Sequence, residues 1–226
     1  MGFQAVIEDE SVPAGGSTAC VAIARTDGNL EVANLGDSGY VQLRANAIHH
    51  YSDPQTHAFN TPYQLSIIPP KVLAQTAIFG GTPLSDLPRD STVAHHCLHH
   101  GDVILLATDG VWDNLYPQDV LKIVSKHMTG FGAWETIDDK GIVATSRLDY
   151  LTEPGGVEFI DEDSTLQGLL AVEVAGAAKQ ASLNTKVDGP FAKEVQKYYP
   201  GDDYRGGKVD DICVVAVVVI EERAGA

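Results

Sequence analysis

Basic residues are scarce in this chain: 15 Lys and Arg stand against 31 Asp and Glu, a formal net charge of −16 at pH 7. That deficit argues against nucleic acid or an anionic membrane surface as a partner, and a phosphate-bearing ligand would need a cation to bridge it. Cysteine is rarer still. Cys20, Cys97 and Cys213 are an odd number, far apart and without a C-x-x-C, which indicates neither a disulfide framework nor a zinc ribbon. Reduced, buried thiols and an intracellular protein are expected. Long apolar runs are absent too: the longest aliphatic stretch, Val214 to Ile220, has a strand's length and falls far short of the roughly 20 residues of a membrane helix. The opening MGFQAV has Gly2 but Val6 where a myristoylation signal wants Ser or Thr, and it lacks a basic segment followed by an apolar one. The chain therefore reads as soluble, and its 226 residues suffice for one domain, 1–226, with a sizeable core.

What is present begins with β-type segments. STACVAIART (17–26), LEVANLG (30–36) and YVQLRANAI (40–48) are punctuated by the turn-forming DGN and GDSG, so three consecutive antiparallel strands are expected. The polar, Pro-rich stretch from His49 to Arg89 reads as an irregular connection carrying a short helix near 70–78. Strands follow near 92–98 and 103–107, then a helix from Pro117 to about His127, where Pro117 suits a first helical turn. Residues 129–163, rich in Gly, Asp and Glu without a sustained period, are expected to form a surface insertion. A second helix over about 164–182 has Ser164 as its cap, a third starts near Pro190, and ICVVAVVVIEE closes the chain as a long strand. Strands in a run followed by helices predict α+β packing rather than alternating βαβ units.

The chemistry concentrates where strands end. In ATDGVWDNL (107–115) an apolar strand stops at Thr108-Asp109-Gly110, which puts the Asp109 carboxylate at a strand mouth. The pair Asp210-Asp211 precedes the terminal strand, and the small residues of RGGKVDDI beside it let backbones approach closely. If the two strands are neighbours, Asp109 and the pair converge, and a hard divalent cation such as Mg²⁺ or Mn²⁺ wants such carboxylate oxygens. Each aspartate alone is also an ordinary turn former.

Taken together, GGSTA (15–19), ANLGDSG (33–39), GDVILLATDGVWDNL (101–115) and GKVDDICVV (207–215) resemble, in order and spacing, the metal-dependent serine/threonine protein phosphatases of type 2C. HAFNTPYQLSIIPP and LNTKVDGPFAKEV are similar to the mitochondrial branch of that family. The resemblance covers nearly the whole chain, 129–163 excepted. It implies an α-β-β-α sandwich of two antiparallel sheets flanked by helices, with a binuclear Mn²⁺/Mg²⁺ centre at one edge, and a monomer acting on phosphoproteins with no membrane span and no nucleic acid. It implies that Asp109 and Asp210 bind one metal, that Asp113 lies close to the centre beside a weaker additional metal, and that Asp37 of GDSG organises a turn beside the site. Hydrolysis by a metal-activated water then needs no phosphoenzyme, and an aspartyl phosphoenzyme is disfavoured because Asp113 lies four residues beyond Asp109 rather than in D-x-D.

The family's DG-x-GG segment, with its metal-bridging aspartate, is expected upstream of GGSTA and is not found there, so Met1 is expected to start inside the domain. A catalytically inactive binding module is the alternative expectation that follows. The remaining residues have plainer readings. His49-His50, His95-His96 and His99-His100 are expected as surface or partner-bonded histidines, since neighbours on a strand point to opposite faces. Trp112 is expected in the core, FIDEDS (159–164) on a solvated face, Arg89 in an ion pair with Asp90 or Asp86, and Cys213 buried among apolar neighbours.

Overall fold

The pentapeptide Val103–Ala107 is apolar at every position, and a strand of that kind needs cover on both faces. The computed structural model, which describes residues 2–80, 83–157 and 164–221, supplies it with both. In chain order the first elements are α1 (Gly2–Glu8), β1 (Gly15–Ser17), β2 (Ala19–Ala24), β3 (Asn29–Leu35), β4 (Gly39–Arg44), β5 (Ala47–Tyr51), β6 (Thr56–Ala58), β7 (Thr61–Pro62), β8 (Leu65–Ile67) and α2 (Pro70–Ile78). After a single 3-10 turn at Pro88–Asp90 come β9 (Thr92–Cys97), β10 (Val103–Ala107), α3 (Asp109–Trp112), α4 (Pro117–Gly130), β11 (Trp134–Ile137) and β12 (Gly141–Ala144). The last are α5 (Arg147–Leu151), α6 (Leu166–Ser182), α7 (Pro190–Tyr198) and β13 (Val214–Val218).

Besides the two-stranded pairs β1-β8, β6-β7 and β11-β12, two larger antiparallel sheets result, one of four strands in the order β13-β10-β4-β5 and one of three in the order β2-β3-β9. They face each other across Leu30, Val32, Tyr40 and Ile104. On its other face the four-stranded sheet sends Val41, Leu43, Val103 and Leu105 into a larger core shared with α4 and α6. Those helices present Val120, Val124 and Met128, and Leu166, Leu170, Val174 and Ala178, at intervals of four residues, the spacing that aligns side chains on one helical face. The fold class is thus α+β with paired antiparallel sheets, as the sequence indicates. No residue of α1 or α2 is buried, and the outer face of the three-stranded sheet presents Val21, Ile23 and Val93 to solvent.

Several local expectations give way. The stretch 40–48 is a hairpin rather than one strand, because Ala45 and Asn46 take φ of 47° and 62° and turn the chain between β4 and β5. The 129–163 stretch is not confined to the surface: β11 and β12 pair, and Trp134, Leu148, Leu151 and Val157 are buried in the main core. Thr165 rather than Ser164 caps α6, its Oγ1 accepting the Gly168 N–H. Cys97 and Cys213 are exposed and Cys20 is half-buried. Alternation explains Cys213: Val214, Ala216 and Val218 pack on the core, so Cys213, Val215 and Val217 point the other way.

The same alternation sorts the histidines. His49 and His95 are exposed, whereas His50 of β5 and His96 of β9 meet between the sheets with ring centres 4.4 Å apart, and His96 shares a 2.6 Å hydrogen bond with the Tyr40 hydroxyl. A buried ion pair ties β4 to the lead-in to β10 within the four-stranded sheet, and Arg44 Nη2 also donates to the Cys97 carbonyl of β9 at 2.8 Å, across to the three-stranded sheet. Asp102, wholly buried, accepts from Arg44 Nε and Nη2 at 2.6 and 2.7 Å, from Gln42 Nε2 at 2.9 Å and from the His99 N–H at 3.0 Å. Burial alone pushes this carboxyl up, but the bonds from Arg44, His99 and Gln42 outweigh it and hold the group below its ordinary value.

Asp102→Asn is expected to destabilise the fold by about 3 kcal/mol, because it leaves the Arg44 guanidinium without its counter-charge. A carboxyl lowered by folding contributes fully above the unfolded aspartate value of about 4, and that contribution fades as pH falls through the folded value. Urea denaturation between pH 7 and pH 3 therefore shows a shallower acid-side loss of stability in Asp102→Asn than in the wild type, and equal slopes would sink this account.

Candidate metal centre

The junction of β10 and β13 is fixed by Thr108. Its Oγ1 accepts the Cys213 N–H at 3.0 Å and donates to the Asp211 carbonyl at 3.2 Å, while its own N–H donates to the Cys213 carbonyl at 3.2 Å. These bonds set the exit of β10 against the lead-in to β13. Gly110 permits the contact: a Cβ there would lie 2.2 Å from the Asp211 carbonyl oxygen, so every larger residue would force the two segments apart. Asp109 opens the short helix α3 and Asp113 closes it one turn later, its N–H donating to the Asp109 carbonyl at 2.7 Å.

Asp109, Asp113 and Asp210 consequently bring one oxygen each within 4.8 Å of the others, and among the described residues they form the one such group of three. All three residues singled out in the sequence are thereby gathered, while Asp211 supplies only its carbonyl. Asp37 sits in the wall of the adjoining cleft rather than in the trio, its carboxyl pushed up by burial and by the charge of Asp109. This cleft, of about 360 Å³, is lined by Tyr51, Phe59, Trp112, Asp113 and Phe191 among others. Phe59 packs against Phe191, Tyr198 and Tyr199 with ring centres 5.5, 5.2 and 5.6 Å apart, so the wall beside the carboxylates is aromatic. Trp112 is 8% exposed and donates its indole N–H to the Ala107 carbonyl, in keeping with its expected place in the core.

Two residues passed over in the sequence complete the site. Lys208 Nζ lies 2.6 Å from Asp113 Oδ2, 2.9 Å from Asp210 Oδ2 and 3.3 Å from Asp109 Oδ2. Asn114 holds the Lys208 backbone, accepting its N–H at 2.9 Å and donating to its carbonyl at 2.8 Å, while the same amide donates to the Gly110 carbonyl at 2.9 Å. The one available signal for Lys208 was its place in GKVDDI, a cation beside paired aspartates in a chain poor in cations. Burial pushes the Asp113 carboxyl up to about 6 against the opposing pull of Lys208. Burial would lower the Lys208 ammonium, but hydrogen bonds to Asp113 and Asp210 more than offset it and raise its value. For Asp210, burial is outweighed by bonds from Lys208 and the Asp211 N–H, which lower it.

The donor set fits a hard divalent cation: three carboxylates from two chain segments, already gathered around one positive group. The ion pair expected for Arg89 is not formed among the described residues, because Asp86 is taken by His57 and the Gln64 N–H, and Asp90 by the Leu87 N–H. Residues 159–163 of FIDEDS lie outside the described residues.

No protein-family model matches the chain. It is 35% identical over 227 residues to the protein phosphatase PTC7 homolog fig of Drosophila yakuba. It is also 32% identical over 220 residues to the protein phosphatase PTC7 homolog of Xenopus laevis, and 32% over 218 residues to the 5-azacytidine resistance protein azr1 of Schizosaccharomyces pombe. These alignments take in 99%, 97% and 96% of this chain and 58%, 60% and 60% of the relatives, so the chain spans about three fifths of the length of the curated relatives it matches. Among solved structures, the photosystem II phosphatase PBCP shares the fold with a TM-score of 0.63 at 22% identity, over 97% of this chain and 77% of that one.

Asn114→Ala is expected to cost about 2–3 kcal/mol in urea denaturation, since it strands polar backbone groups at Gly110 and Lys208. Lys122→Ala, which breaks an exposed pair with Asp119 on α4, is expected to cost less than about 0.5 kcal/mol, and similar losses in the two variants would refute the bracing role of Asn114.

Proposed function

We propose that the chain is a type 2C protein phosphatase of the PTC7 group and that it hydrolyses phosphoserine and phosphothreonine in proteins with Mn²⁺ or Mg²⁺ held by Asp109, Asp113 and Asp210. The observation that carries the reading is the convergence of those carboxylates, two from α3 and one from the lead-in to β13, at the edge of an open cleft. Divalent cations held by these three carboxylates would supply a water of lowered pKa and would offset phosphoryl charge in an in-line displacement.

The protein's own part is positioning. Thr108, Gly110 and Asn114 hold the carboxylates in one place, so little reorganisation accompanies binding. A chain of net charge −16 repels a phosphoprotein at long range, which makes local positive charge at the cleft a requirement for binding. The aromatic wall of Phe59, Phe191 and Tyr198 offers an apolar bed for residues beside the phosphorylated one. The same reading takes the chain as a monomer of the mitochondrial branch; among the described residues, no helix is long and apolar enough to cross a membrane.

A second reading, a phosphoprotein-binding module without turnover, is favoured by one observation. The resemblance implies a binuclear centre, and the described residues gather one group of three metal-ligand side chains.

Hydrolysis of a phosphothreonine peptide by the purified chain is expected to require Mn²⁺, to stop with chelator, and to fall at least about 100-fold in Asp109→Asn. Binding of the peptide by a folded chain with no turnover at any Mn²⁺ concentration would favour the second reading, and turnover that persists in Asp109→Asn would refute the proposed centre.

A further inference from the structure

The ammonium of Lys208 sits among the three carboxylates that the metal reading assigns to a divalent cation. Its three N–H donors face three carboxylate oxygens at 2.6, 2.9 and 3.3 Å, one on each aspartate of the trio, so its hydrogen-bonding capacity is filled by that cluster. Phe191 lies beneath it, the ring centre 4.8 Å from Nζ. The side chain is only 19% exposed, and among the described residues the cluster is faced by Asp109, Asp113, Asp210, the more distant Asp37, the ring of Phe191 and the phenols of Tyr51 and Tyr204.

A small hard cation takes carboxylate oxygens at about 2.0–2.2 Å, well inside the hydrogen-bond distances made by the lysine. The same oxygens cannot serve both at once. An ion drawing in these oxygens must push the ammonium out of their midst, since two like charges would otherwise share one pocket of a few ångströms. Departure of the ammonium needs no movement of the main chain. The Lys208 backbone is clamped by Asn114, and a Cβ at the preceding Gly207 would meet the Ala181 carbonyl at 2.1 Å, which shows how closely that segment is seated against α6. The four-carbon stem is the mobile part.

We propose that Lys208 is a resident, exchangeable cation of this site: it holds Asp109, Asp113 and Asp210 together when no divalent ion does, and an incoming divalent ion displaces its ammonium. The inference rests on the metal reading of the trio and goes beyond it, because it assigns the lysine an opposing effect on metal affinity. Two consequences distinguish it from a purely structural lysine. Removing the charge weakens the fold without metal, as three carboxylates are left facing one another, and strengthens metal binding, as nothing has to be displaced. A lysine that merely braces the loop would, when removed, weaken both.

The test is Mn²⁺ titration by calorimetry of the wild type, Lys208→Met and Lys208→Arg, with thermal unfolding of each at several Mn²⁺ concentrations and no substrate present. Lys208→Met is expected to bind Mn²⁺ about tenfold more tightly than the wild type, to melt lower without metal, and to gain more from added Mn²⁺. Lys208→Arg, which keeps the charge, is expected to bind no more tightly than the wild type. Should Lys208→Met unfold without metal, recovery of its melting transition on adding Mn²⁺ supports the proposal, and failure to recover overturns it. Equal or weaker Mn²⁺ affinity in Lys208→Met than in the wild type overturns the displacement while leaving the metal centre intact. Absence of Mn²⁺ binding in all three overturns both the displacement and the metal centre on which it rests.

Discussion

Three carboxylates within 4.8 Å of one another repel, and in a chain of net charge −16 nothing at long range relieves that repulsion. A cation among them is therefore a condition of the site's existence, and the surrounding structure is arranged to satisfy it. Lys208 brings the charge, Asn114 fixes the backbone from which the lysine extends, and Gly110 lets the lead-in to β13 come close enough for Asp210 to join Asp109 and Asp113. Apart from Lys208 with Asp210, each of these contacts joins segments far apart in sequence, so the cluster can form only when β10 and β13 are paired.

That pairing has its own support. β10 lies between β13 and β4, with one face against the three-stranded sheet and the other under α4 and α6. The two sheets are tied by polar groups, the Cys97 carbonyl of β9, which accepts from Arg44 and Gln42 of β4, and the stack of Tyr40, His50 and His96, while buried Asp102 holds Arg44 and Gln42 in place. Polar ties of this kind add little net stability relative to apolar packing, but their directional geometry selects one register of sheet on sheet. The site also needs one register of β10 on β13, because a slip of one residue there would turn Asp109 away from the lead-in to β13.

The similarity to PTC7 phosphatases and the geometry of the trio bear on different questions. Identity of 35% along 99% of the chain speaks to descent, and the shared fold with the photosystem II phosphatase PBCP speaks to architecture. Neither describes the state of the carboxylates. The ion triple of Lys208 does, and it joins the phosphatase reading to a physical problem that any acidic metal site faces before its metal arrives, which is how to keep like charges in place.

Much of this was legible in the sequence for local reasons. The apolar run at 103–107, the stop at Thr108-Asp109-Gly110 and the helical spacing of Asp109 and Asp113 are short-range patterns, and the motif series pointed to the fold and to the aspartates together. Alternation in β13 could be read as a strand but not as a choice of face, so Cys213 was placed inside when the core lay on the side of Val214 and Ala216. The 129–163 stretch shows no long period, yet its few large apolar residues, Trp134, Leu148 and Leu151, are buried, because burial depends on neighbours that only the folded chain supplies. Lys208 and Asn114 are the clearest case. By itself the sequence determined which carboxylates end the strands; only the tertiary structure, by pairing β10 with β13 and closing 99 residues of chain between Asp109 and Lys208, decided which cation stands among them.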